Sequence, residues 1–316
     1  MSEKLLEVKD LKKYFNVAAG ELHAVDGVSL TLEKGKTLGI VGESGCGKST
    51  LGRTLLMLNK PTSGSVVFDG KELTTMGKHE FKAVQPKMQM IFQDPFSSLN
   101  GRMTVRQLIA EPLIVNRVCK SKQEMWERVD KMMETVGLAQ RLADAYPHEL
   151  DGGRRQRIGV ARALIMEPKL VVCDEPVSAL DVSIQAQILN LLMDLQEQMN
   201  LSYLFITHDL SVVKHISDEI MVMYMGCCVE KASYDEIFAR PLHPYTQGLL
   251  AAIPVPSATS RGKVHELMRG EVMSPVNPAP GCRFAARCPY ATEECSKGDI
   301  PLKDVGNGHM VACLKA

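Results

Sequence analysis

Residues 42–49 read Gly-Glu-Ser-Gly-Cys-Gly-Lys-Ser, a complete G-x-x-x-x-G-K-S string lying between an apolar run and a helix-compatible run. Thr37–Val41 has the character of a short strand, and Leu51, Leu55, Leu56 and Leu58 recur at roughly helical spacing. A strand that feeds a glycine loop that feeds a helix aims backbone N–H groups and the positive helix end at a polyphosphate. Lys48 then reaches the β- and γ-phosphates, and the Ser49 hydroxyl is a magnesium ligand. The candidate triphosphate-binding residues are Gly42, Glu43, Ser44, Gly45, Cys46, Gly47, Lys48, Ser49 and Thr50. The loop implies an α/β fold and a bound nucleoside triphosphate.

The remaining pattern agrees with that fold class. Strand-like segments at 5–9, 28–32, Thr37–Val41 and 65–68, with turns at 33–36 and 62–64, predict an N-terminal antiparallel β subdomain. Residues 104–137 turn helical, and a second helix over 153–166 stops before Pro168. Leu170–Asp174 is a continuous apolar run, as expected of a strand buried on both faces. Val182–Met199 predicts a long amphipathic helix, Ser202–Ile206 another buried strand and 219–225 a further one. This alternation implies a mostly parallel sheet covered by helices. Beyond about Pro241, prolines at 254, 256, 275, 278, 280, 289 and 301 break up any long element and predict an irregular tail.

A length of 316 residues fits one large domain with an appendage, or two domains. Thirty-seven basic residues balance thirty-seven acidic ones, so no global field favours nucleic acid or acidic lipid. Apolar runs are strand-sized, and Met1-Ser2-Glu3-Lys4 lacks a signal-peptide pattern, which makes cytosolic residence the expectation. Nine cysteines in such a compartment argue against a disulfide framework. Cys46, Cys119, Cys173, Cys227 and Cys228 are scattered and read as small apolar residues. Cys282, Cys288, Cys295 and Cys313 crowd into the C-terminal region.

Asp174 stands at the carboxyl end of an apolar strand, where it can hold magnesium through water. Glu175 follows, placed to accept a proton from an attacking water. The run Asp174-Glu175-Pro176-Val177-Ser178-Ala179-Leu180-Asp181 resembles the extended Walker B motif and D-loop of ABC-type ATPases, with Asp181 as the D-loop aspartate. Gln93, after Met90-Ile91-Phe92, resembles the Q-loop glutamine that senses magnesium and water. His208, after Leu204-Phe205-Ile206-Thr207, resembles the switch histidine that contacts the γ-phosphate. Phe15, or alternatively Tyr14, resembles the aromatic that stacks on adenine. The resemblance spans most of residues 5–252. It implies ATP and Mg2+ as cofactors, with Ser49, Gln93 and Asp174 around the metal and Glu175, His208, Gln93 and Lys48 as catalytic residues.

The signature motif departs from the family. Where Leu-Ser-Gly-Gly-Gln is usual, this chain reads Leu150-Asp151-Gly152-Gly153-Arg154. The glycines and the helix N-terminus remain, but a hydroxyl donor worth about 1.5–3 kcal/mol toward a charged group is lost. A carboxylate 4 Å from a phosphate charge is repelled by about 4 kcal/mol at an effective dielectric of 20. Repulsion wins unless Arg154 or Arg155 pairs with Asp151, or Asp151 turns away. The expectation is a head-to-tail pair of nonidentical ATPases with one competent and one weaker site; a tolerated Asp151 is the alternative.

The string Arg240-Pro241-Leu242-His243-Pro244-Tyr245-Thr246-Gln247-Gly248-Leu249-Leu250 resembles the closing helix of ATPase subunits from bacterial oligopeptide, dipeptide and nickel importers. Gln93-Asp94-Pro95-Phe96-Ser97-Ser98-Leu99-Asn100 and Pro275-Val276-Asn277-Pro278-Ala279-Pro280-Gly281-Cys282 match the same branch, most closely the second ATPase subunit of dipeptide importers. Four cysteines spaced C-x5-C-x6-C-x17-C can meet at one centre that substitutes for a missing apolar core. The resemblance implies a [4Fe–4S] cluster on Cys282, Cys288, Cys295 and Cys313, with zinc or four reduced thiols as alternatives. The implied domains are an ATPase domain, 1–252, with a helical insert at about 94–160, and a C-terminal extension, 253–316.

The implied function is ATP hydrolysis that powers an ABC importer for di- or oligopeptides, from the cytoplasmic face of the membrane. The implied partners are a second ATPase subunit, two transmembrane permeases and, indirectly, a solute-binding protein, with no nucleic acid. A nickel- or glutathione-type importer, or a soluble ABC ATPase without a transport role, is the alternative. An ATP-binding but catalytically idle regulatory half is a third.

Overall fold

Alternating apolar residues shape two long N-terminal strands, β1 (Lys4–Val17) and β2 (Gly20–Glu33), which bury Leu6, Val8, Leu11, Val25, Val28, Leu30 and Leu32. The computed structural model describes residues 3–253 and 274–316, so Pro254 and Pro256 of the expected irregular tail lie outside the described residues. The chain forms two compact units. One holds chiefly Met76–Leu204; the other holds Lys4–Leu32, Thr37–Thr75 and Phe205–Ala316.

In the latter unit, β3 (Thr37–Val41) is buried at all five positions and runs through the glycine loop into α1 (Lys48–Leu55). The strands β4 (Ser63–Phe68) and β5 (Lys71–Glu72) complete a sheet of order β2-β1-β4-β5, with Leu6 opposite Phe68 and Val8 opposite Val66 in antiparallel register. The turn expected at 62–64 is partly strand: Ser63 and Gly64 begin β4, beside a register shift between Lys9 and Lys12.

The unit around Met76–Leu204 opens with α2 (Lys78–Val84) and β6 (Met88–Ile91). The helical insert follows as α3 (Pro95–Ser98), α4 (Val105–Val115), α5 (Lys122–Thr135) and α6 (Gly152–Leu164). Residues 104–137 are thus two helices rather than one. Thr104 and Gln107 form a capping box that starts the first, and the Ser121 side chain accepts from Glu124 N–H to start the second. Strand β7 (Leu170–Asp174) is fully buried and parallel to β6, with Met90 opposite Val172. After α7 (Val182–Met199), β8 (Ser202–Ile206) starts beside β7, where Ser202 N–H donates to the Lys169 carbonyl at 3.1 Å. Runs buried on both faces are what parallel sheets require.

The chain then adds α8 (Leu210–Ile216) and β9 (Glu219–Tyr224), which pairs in parallel with β3. A two-residue turn follows at Met225 (φ 43°) and Gly226 (φ 83°), both left-handed, as a type I′ hairpin demands. It leads into β10 (Cys227–Ser233), antiparallel to β9. Then come α9 (Tyr234–Ala239) and α10 (Pro244–Ala251).

The described part of the C-terminal region is largely irregular, as expected, but it is tied to the sheet. Strands β11 (Lys303–Asp304) and β12 (Met310–Val311) add to the sheet edge in the order β11-β12-β10-β9-β3. Phe284 is buried against Tyr224, Tyr245 and His243, with ring centroids 5.3, 5.4 and 5.8 Å away. Glu230, fully buried, accepts from His309 Nε2 at 2.7 Å, Leu242 N–H at 2.7 Å and His243 N–H at 2.9 Å. A buried carboxylate with three donors is a satisfied one.

His243 caps α10, its Nδ1 accepting from Tyr245 N–H at 3.1 Å. Burial pushes its pKa down to about 4 against the opposing pull of Glu230. The unfolded imidazole, near 6.5, takes up its proton as pH falls below that value, while the folded one resists until about 4. Its contribution is therefore complete above pH 6.5 and drains away between 6.5 and 4, by about 3 kcal/mol in all. We expect His243→Asn, whose Oδ1 can keep the cap, to flatten urea-melt stability against pH across that window relative to the unsubstituted chain.

Candidate functional site

Each unit carries part of the expected site. In the unit with the glycine loop, Gly42 (φ 153°), Gly45 (φ 81°) and Gly47 (φ 106°) take left-handed backbone. A Cβ on Gly47 would lie 2.0 Å from the Ala24 carbonyl oxygen, and one on Gly42 would lie 2.2 Å from that of Met223. Lys48 is buried, its ammonium donating to the carbonyls of Gly42 at 2.7 Å and Glu43 at 2.9 Å. Those bonds hold the loop curled around its own lysine. Cys46 is buried beside it, where desolvation pushes the thiol's pKa up. Ser44 and Gly45 are exposed at the tip, and Ser49 and Thr50 begin α1.

Phe15 and Tyr14 point different ways. The Tyr14 ring stacks on His23 at 3.9 Å and its hydroxyl bonds Asp26, which engages that ring. Phe15 is half-buried with the Lys13 ammonium 4.5 Å from its centroid. His208 is exposed just past β8, ahead of Asp209, whose carboxylate caps α8 through Ser211 N–H at 2.8 Å.

In the other unit, Asp174 ends β7 buried, and Glu175 follows in the left-handed region at φ 47°. A non-glycine residue there costs about 1–2 kcal/mol, tolerated where the surroundings dictate it. Gln93 Nε2 donates to Glu175 Oε2 at 3.0 Å, so these two expected residues do meet. Asp181 is exposed at the N-cap of α7.

The signature answers the question that Asp151 raises. Asp151 is the N-cap of α6: Oδ1 accepts from Arg154 N–H at 2.8 Å, and Oδ2 pairs with Arg154 Nη1 at 3.3 Å. Arg155 does something else, donating to the Pro147 carbonyl at 2.7 Å and lying over the Phe96 ring. Leu150 is buried, while Gly152 and Gly153 let α6 approach Leu180 and Ile184, whose side chains would meet added Cβ atoms at 3.1 and 2.8 Å.

Residues 25–178 match the ABC transporter family, and residues 229–295 match the oligopeptide/dipeptide transporter C-terminal region. The oligopeptide transport ATP-binding protein OppF of Escherichia coli (strain K12) is 53% identical over 98% of this chain and 96% of its own length. This chain belongs to the ABC transporter ATP-binding family. The dipeptide transport ATP-binding protein DppF of the same organism is 50% identical over 99% of this chain and 95% of its own length. Among solved structures, a dimeric ATP-binding cassette in a post-hydrolysis state bound to ADP and Pi superposes with TM-score 0.67. It is 28% identical and covers 73% of this chain and 99% of that one. The chain is an ATP-binding and ATP-hydrolysing ABC subunit, with the expected antiparallel sheet, mostly parallel sheet and helical insert.

The metal expectation is overturned. Among the described residues no three His, Cys, Asp or Glu side chains form a group that could hold a metal ion, so this ABC subunit shows neither a [4Fe–4S] nor a zinc site at Cys282, Cys288, Cys295 and Cys313. All four are free thiols around one apolar cleft, shared with Phe284 and Ala285, of about 20 Å³. That is room for about one water, not for a cluster. The region has an apolar centre of its own in Phe284, packed against Tyr224, Tyr245 and His243.

Contacts that no motif announces reach the glycine loop from the C-terminal region. Tyr245 Oη accepts from Glu43 N–H at 2.8 Å, and Arg287 binds the Glu43 carboxylate. Charge alone hinted at the second, since an arginine in an apolar stretch needs a partner. For the signature, we expect Asp151→Ala to lower the melting stability of this ABC subunit by about 1 kcal/mol through loss of the α6 cap. Asp151→Ser should leave it unchanged, because a hydroxyl can accept the same Arg154 N–H.

Proposed function

We propose that this chain drives a peptide importer, hydrolysing ATP at the cytoplasmic face of a membrane as a peripheral subunit. The observation that carries this is the likeness to peptide-transport ATP-binding proteins over nearly the whole chain, C-terminal region included. Among the described residues no helix is long and apolar enough to cross a membrane. The path for solute would come from two permease subunits, with cargo delivered by a solute-binding protein. The insert is the surface on which the permeases would dock: Phe96, Ile114 and Val115 are exposed there, and Phe96 follows the Q-loop. The extension, residues 253–316, would be an accessory domain to an ATPase domain at 1–252.

Roles follow from side-chain chemistry. Lys48 and the loop N–H groups neutralise and cradle the phosphates, Ser49 and Asp174 take the magnesium, and His208 contacts the γ-phosphate. Glu175 accepts the proton of the attacking water, held in orientation by Gln93. Phe15 stacks on adenine. The signature of residues 150–154, with Asp181, would serve the nucleotide of a second, nonidentical ATPase subunit. An Asp151 carboxylate paired by Arg154 repels less than a bare one but donates nothing, so that site is the weaker of the two. Engagement of both nucleotides would close the pair, and hydrolysis would release it.

The test uses the assembled complex in vesicles, with labelled dipeptide and longer-peptide uptake beside ATP turnover. Glu175→Gln should cut turnover and uptake about 100-fold or more while ATP still binds. Asp151→Ser should raise turnover. Uptake that continues at the unsubstituted rate with Glu175→Gln present would remove the importer reading, and an unmoved rate with Asp151→Ser would remove the unequal sites.

A further inference from the structure

Glu43 is the second residue of the glycine loop, and each of its polar groups is held. Its N–H donates to Tyr245 Oη at 2.8 Å, and its carbonyl accepts from Lys48 Nζ at 2.9 Å. Its carboxylate receives both arms of Arg287, Nη1 on Oε2 at 2.8 Å and Nη2 on Oε1 at 3.0 Å, from 244 residues away in the chain. Arg287 is buried at 9% exposure, and its guanidinium carbon lies 5.8 Å from the ring centroids of both Tyr224 and Phe284. Nη1 also reaches Tyr224 Oη at 3.4 Å. Such a fork fixes an arginine in one orientation.

A loop that must receive three phosphates gains nothing from a carboxylate of its own. Two like charges within 8 Å in a partly buried site repel enough to weaken binding more than tenfold. Glu43 is tolerable there only if that charge is cancelled and its direction fixed. Arg287 does both, from a frame made of the aromatic cluster around Phe284. The neighbouring Arg283 makes a parallel contact with Asp26, the residue that also bonds Tyr14 and His23.

We propose that Arg287 is a positioning residue for nucleotide binding, masking the Glu43 carboxylate so that the loop accepts a triphosphate, which makes the C-terminal region a working part of the ATP site. This rests on the reading of the loop as an ATP site. It concerns this chain's own nucleotide and needs no partner subunit.

The experiment is equilibrium binding of Mg-ATP to the intact chain, with a thermal melt of each nucleotide-free variant. Arg287→Met should weaken ATP binding about tenfold or more. Glu43→Gln alone sets the level of a loop with no carboxylate and should bind ATP more tightly than Arg287→Met; adding it to Arg287→Met should bring binding back to the Glu43→Gln level, because the charge to be masked is gone. A mere strut would behave differently, since removing either end, or both, would break it equally. Unweakened binding by Arg287→Met overturns the proposal, as does a double variant that stays as weak as Arg287→Met. Should Arg287→Met fail to melt cooperatively, Arg287→Lys decides: it keeps the charge with one donor centre, and a loss beyond about threefold overturns masking by charge. An unsubstituted chain that binds no ATP removes the underlying reading as well, which separates the two failures.

Discussion

The glycine loop is gripped by backbone on both sides, and most of what surrounds it follows from that grip. Gly47 stands where any side chain would strike the Ala24 carbonyl of β2, and Gly42 where it would strike that of Met223 in β9. Two strands distant in sequence therefore close on the loop to within the space of a hydrogen atom. The left-handed φ values at these positions let the chain turn sharply where a side chain would not fit. Lys48 completes the shape by bonding the loop's own carbonyls, so the cradle is already formed around an ammonium that can pass to a phosphate. Preformed geometry of this kind lowers the cost of binding because little order remains to be imposed.

That grip explains why the C-terminal region matters to the loop. Its residues supply Tyr245 and Arg287 to Glu43, and Asn277 anchors the β1–β2 hairpin by accepting from Glu21 N–H at 2.9 Å. The region has no need of a metal staple. Strand addition through β12, the Phe284 cluster and the carboxylate of Glu230 with its three donors give it conventional sources of stability. His309 and Glu230 are both fully buried and bonded to each other, so removing either leaves a buried polar group without that partner, at a cost of about 1–3 kcal/mol.

The sequence made the parallel strands and long helix easy to read and the C-terminal region hard. Thr37–Val41, Leu170–Asp174, Val182–Met199 and Ser202–Ile206 stand where their hydrophobic patterns place them, because the strands are near-continuous apolar runs buried at every position and the helix carries its own periodic apolar face. The glycine loop was equally plain, being a local motif. Strand β10 was not, since Cys227–Ser233 mixes cysteine, glutamate and lysine and owes its conformation to β9 and β12 on either side. The Glu43–Arg287 and Glu230–His309 pairs join residues too far apart for any periodicity to register. The cysteines misled for a related reason: spacing counts thiols along the chain but says nothing of how their side chains are grouped in space, and among the described residues they form no metal-holding group.

Asp151 shows how a departure from a family pattern can be structurally quiet and electrostatically loud at once. At an N-cap, aspartate and serine are nearly interchangeable, since each offers one oxygen to the N–H three residues on, and the acid also suits the positive helix end. The fold therefore exerts no pressure to keep serine. A phosphate facing the same helix end would see the difference, because the carboxylate occupies with its own charge the place that the anion would take. Arg154 is positioned on that carboxylate rather than beyond it, and both side chains are about half exposed, so water screens the pair from outside. The cap is kept with aspartate in serine's place, and on the proposed reading it is the added charge, not the cap, that would make two ATP sites in one assembly unequal.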